Sequence, residues 1–77
     1  PYPPETKAYL ASIIPLFVSD EARAMGRAYV KFVLGDRKTA KLTPPNKQNL
    51  EAIAKGAKTF KDGHLLDVPE QGSLDPS

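Results

Sequence analysis

The chain has 77 residues, enough for one small domain, and no cysteine, which excludes a disulfide frame, a thiolate nucleophile and a Cys-ligated zinc. Its hydrophobic share of 40%, with five glycines besides, is ordinary for a globular chain and argues against wholesale disorder. The formal charge of +2 is segregated: ten of the eleven Lys and Arg lie between Arg23 and Lys61, opposed there only by Asp36 and Glu51, whereas residues 62–77 hold four acids and no Lys or Arg.

Pro1-Tyr2-Pro3-Pro4 cannot start a helix before its last proline, so residues 1–4 read as an extended Pro-rich arm. A short helix is expected over residues 5–14, ending near Pro15, which removes a backbone donor and crowds the carbonyl of Ala11. At helical spacing Tyr9, Leu10, Ile13, Ile14, Leu16 and Phe17 share an arc of roughly 160°, wide enough to call for two neighbours.

Ser19 is a good N-cap, Asp20 and Glu21 suit a first turn, and Gly35 is a natural stop, so a second helix is expected over residues 20–34. Its inward face reads Ala22, Met25, Gly26, Tyr29, Val30, Phe32 and Val33. Arg23, Arg27 and Lys31, four apart, form a basic stripe on the other side. Residues 35–42 lack a hydrophobic period and read as a polar, basic loop with Arg37, Lys38 and Lys41.

Thr43 followed by Pro44 and Pro45 predicts the start of a third helix. Leu50, Ile53, Ala54, Ala57 and Phe60 carry the helical period onward, so this helix is expected over residues 44–61, stopped by Asp62-Gly63. Beyond it, residues 64–77 have turn residues, acids and a few aliphatics without a period, and read as an acidic extended tail. The expected fold is all-α: a three-helix domain over residues 5–63 between an N-terminal arm and a C-terminal tail.

The basic face of Arg23, Arg27, Lys31, Arg37, Lys38 and Lys41 is the main candidate for partner or nucleic-acid binding, since Lys and Arg that neutralise phosphates give salt-sensitive affinity. Against a nucleic-acid reader, no aromatic alternates with these residues, and the connection to the third helix is longer than that of a helix-turn-helix. Asn46, Lys47, Gln48 and Asn49 open the third helix as an ordinary first turn, while Pro44 and Pro45 weaken it as an anion site. Ala52 with Gly56, four apart outside the apolar arc, is a candidate helix-packing contact.

No catalytic, metal or cofactor residue is expected. His64 with Asp62 falls short of a zinc set and suits a helix end, and no glycine-rich phosphate loop is present. The longest apolar run, Ile13–Val18, is six residues and contains Pro15, far below the roughly 20 of a transmembrane helix. Pro1 begins the chain and Met25 is its only Met, which reads as a processed product or a piece of something longer. The sequence therefore points to a non-catalytic interaction module, an accessory subunit or excised domain that meets other protein chains through helical faces and arms. Nucleic-acid binding through the basic face is the alternative, and an anionic surface would meet the same charges.

Overall fold

A computed structural model describes residues 2–35 and 40–68. Helix α1, Pro4–Ile13, runs into a 3₁₀ turn at Ile14–Leu16; α2 spans Asp20–Leu34 and α3 spans Pro44–Ala54. The chain then makes two strands, β1 at Lys58–Lys61 and β2 at His64–Asp67, paired antiparallel. The architecture is thus mixed α/β rather than all-α, with three helices and a two-stranded sheet.

The helix ends follow local chemistry. Pro4 occupies the first turn of α1, where a missing N–H costs nothing, and Pro15 leaves only the tighter 3₁₀ turn beyond Ile13. Ser19 caps α2 by accepting from the Ala22 N–H at 3.0 Å, and Asp20 and Glu21 follow in its first turn. Thr43 caps α3 by accepting from Asn46 N–H at 3.4 Å, with both prolines at the start.

The helix expected over residues 44–61 stops at Ala54 because of Gly56. Gly56 has φ of +78°. Its N–H donates to Ile53 O at 3.0 Å, and the Ala57 N–H reaches back to Ala52 O at 2.9 Å, the paired bonds of a Schellman terminus. Ala52 and Gly56, expected as a packing pair, are thereby members of one helix end, and a Cβ on Gly56 would meet Val18 of the same chain at 3.4 Å.

Asp62-Gly63 is the turn of a hairpin rather than the stop of a helix. Both residues have positive φ, 53° and 79°, as a two-residue type I′ turn demands, and this sets Phe60 opposite Leu65 and Lys58 opposite Asp67. Residues 64–67, expected as part of an extended tail, are instead β2, and a bond from Val68 N–H to Ala57 O, 3.0 Å, continues the ladder. Residues 69–77 of that expected tail lie outside the described residues.

The core lies where α2, α3 and β1 meet. Leu50 and Ile53 of α3 are essentially without exposure and pack with Ile13, Tyr29, Val30, Leu34 and Leu42. Burial of such aliphatic side chains, at roughly 1.5–3 kcal/mol each, is the main stabilising term available to a domain of this size. Tyr29 bridges α2 to α3 and to the hairpin: its hydroxyl donates to Asn46 Oδ1 and accepts from Asn49 Nδ2, both at 2.9 Å, and its ring meets Phe60 edge-on at 5.4 Å. A backbone bond from Val18 N–H to Ala54 O, 3.0 Å, pins the junction between α1 and α2 to the end of α3.

Candidate interaction site

The wide apolar arc of α1 and its 3₁₀ turn is only partly covered. Ile13 is buried, but Ile14 and Leu16 are 52% and 57% exposed. Between this segment and α2 runs a half-open cleft of about 340 Å³, within the size range of ligand sites. Leu10, Ile13, Ile14 and Phe17 form one wall of it. Leu50 of α3 contributes to the lining from the core, and Gly26 and Val30 line it from α2.

Gly26 is what lets the walls approach. A Cβ built there would lie 2.5 Å from two ring atoms of Phe17, closer than any real contact, so the bare backbone is the bed on which the Phe17 ring lies. Helix propensity has been sacrificed, at about 1 kcal/mol relative to Ala, for that proximity.

Two of the six residues of the expected basic face belong to this cleft. Arg23 and Arg27, one helical turn apart, line it beside the apolar groups. Arg23 pairs through Nη1 with Asp20 at 3.2 Å, its side chain is 42% exposed overall, and its Nε–H is buried without a hydrogen-bond partner. Such a donor costs free energy until something accepts from it. Lys31 follows Arg27 by one more turn and is exposed, and neither has a salt bridge among the described residues. Lys41 lies elsewhere, 3.7 Å from Glu5 at the start of α1. Arg37 and Lys38 lie outside the described residues.

The polar start of α3 works inside the molecule. Asn46 and Asn49 hold the Tyr29 hydroxyl, and the Lys47 ammonium stands 5.1 Å from the centre of the Tyr9 ring. The Tyr9 hydroxyl reaches Lys47 O at 3.3 Å and Glu51 Oε1 at 3.4 Å, attaching α1 to α3. Its phenol is held above the ordinary value by burial first, and then by the charge of Glu51 and the hydrogen bond to it. Phe32, expected to face inward, is 64% exposed; one side of its ring rests on Phe60 at 5.2 Å.

Comparison with protein-family models, curated proteins and solved structures finds no match. The site must be read from its own chemistry. Among the described residues no group of three His, Asp or Glu is placed to hold a metal ion, and no helix is long and apolar enough to cross a membrane. What the cleft offers is an apolar trough with guanidinium groups on one side, suited to a ligand that is apolar on one face and anionic on the other.

Sequence reasoning placed Arg23 and Arg27 one turn apart on α2 and missed the trough that they line. The signals were present in the unusual width of the α1 arc and in Gly26 on the inward face of α2, but neither says where α1 lies.

Proposed function

We propose that this protein is a non-catalytic interaction module that grips another protein through the cleft between α1 and α2. The observation that carries this reading is the placement of Arg23 and Arg27 beside the exposed apolar wall of Ile14. An exposed apolar surface bordered by polar groups is the usual mark of a recognition surface, and large apolar anchors with Arg beside them carry most of the energy of protein interfaces.

The alternative of nucleic-acid binding has less support. A phosphate backbone would meet the cations and leave the apolar wall idle, and two of the cations already have acids beside them, Asp20 at Arg23 and Glu5 at Lys41.

The test is a photo-crosslinking amino acid placed at position 14 and exposed to extract of the source cell. A discrete protein adduct that disappears in the Arg23→Ala, Arg27→Ala variant is the expected result. Adducts to nucleic acid, or none to protein, would overturn the reading.

A further inference from the structure

We infer that the partner element seated in the cleft is an acidic amphipathic helix, which presents carboxylates on successive turns to α2 and an apolar stripe to α1. This rests on the reading of the cleft as a protein-binding site and names the chemistry of what binds.

Charge complementarity carries the inference. Arg23, Arg27 and Lys31 recur every four residues, so their side chains leave α2 about 5–6 Å apart and the row extends for about 12 Å along the axis. A helix lying beside α2 repeats its own side chains with the same period, so Glu or Asp at three successive turns meets the row in register. Arg23 and Arg27 border the trough, and Lys31 continues the row one turn beyond its lining. Arg27 and Lys31 are exposed and have no salt bridge among the described residues. A carboxylate can accept from a guanidinium through two parallel bonds. Asp20 is the one acid already engaged, at the end of the row beside Arg23.

The trough supplies the second half of the match. Ile14, Leu10 and Phe17 offer apolar contact on the side facing the cations, which is how a groove receives the apolar stripe of a helix. Other anionic partners use less of this surface. A fatty acid has one carboxylate for a row of three cations, and a DNA backbone has no apolar groups for the wall.

The test uses the full chain and a synthetic helical peptide bearing Glu on three successive turns beside a Leu stripe, with a scrambled peptide of the same composition, sodium oleate and a DNA duplex as comparison probes. In calorimetry the helical peptide should bind at least roughly tenfold more tightly than the scrambled one. Arg27→Glu should lower its affinity by about tenfold, and a peptide carrying Lys at the facing turn should restore it. Ile14→Asp, at an exposed position, should weaken binding while leaving the thermal melt in place. Equal binding of the scrambled peptide, no rescue by the Lys peptide, or oleate or duplex binding where the helical peptide does not would overturn the inference. A crosslink from position 14 to a protein segment without acids would overturn it too and leave the broader reading standing, whereas no protein crosslink removes both.

Discussion

On the hairpin side of α2, Tyr29 is anchored through its hydroxyl to two asparagines of α3 and through its ring to Phe60, and the Thr59 hydroxyl donates to Met25 Sδ. On the α1 side, Phe17 covers Gly26, but the cleft beside it stays half open and Arg23 and Arg27 line it without being enclosed. The polar groups of the first side find partners within the molecule, while the second keeps a buried Nε–H without an acceptor. A chain of 77 residues has little core to spare. It secures α2 along one side and leaves a half-open cleft along the other.

The largest effect should come from the floor common to both sides. Leu50→Ala removes a side chain with 1% exposure, at a cost of about 2–5 kcal/mol, much of the stability expected for a domain of this length. Urea denaturation should show hairpin and cleft lost together; a variant that kept either one would mean that the two sides do not share a core.

Gly56→Ala acts on the sealed side. Positive φ there costs a residue with a Cβ about 1–2 kcal/mol, while the new methyl would only touch Val18 at 3.4 Å. Amide exchange should accelerate over residues 58–67 while the middle of α2 keeps its protection. Uniform acceleration would show that the hairpin does not loosen by itself.

Gly26→Ala acts on the open side and should leave global stability within about 1 kcal/mol, because the gain in helix propensity offsets part of the strain. The displaced atoms are the far end of the Phe17 ring, so that ring should swing and take up the cleft. Phe17 ring shifts in NMR should move and peptide binding should fall, with the Tyr29–Phe60 contact unchanged.

The smallest effect concerns the seam that holds α1. Burial and Glu51 make Tyr9 keep its proton more tightly in the folded than in the unfolded chain. Its contribution is therefore complete below about pH 10 and is lost as pH rises through the folded value. Tyr9→Phe should show a flatter decline in stability above that pH; curves of the same slope would mean that the seam does not report on ionisation.

The two sides also differ in how far they could be read from residues alone. Helix α2 was legible because Ser19, the acids after it and Gly35 all agree with its apolar period. The hairpin was not, because Ala57 and Phe60 continue the helical spacing of Leu50 and Ile53, and a side chain that returns to the core as a strand satisfies the same pattern. Asp-Gly between short apolar runs is a strong hairpin signal, and Gly56 needed its positive φ, yet each also fits a helix that runs on to residue 61. The cleft was hidden for another reason: the arc on α1 reveals how much apolar surface exists, not which part the tertiary fold leaves bare.

The backbone bond between Val18 and Ala54 has a further meaning in time. Tyr29 reaches α3 across 17 and 20 positions of the chain, whereas Tyr9 must span 38 and 42 to reach residues 47 and 51, so the α2–α3 pair closes the shorter loop. The segment behind the longer loop is held by the Tyr9 seam, by Ile13 and by an exposed ion pair, and local opening selects regions with few such ties. The Val18–Ala54 bond fixes one end of that segment to α3, so an opening of α1 would have to begin from its other end.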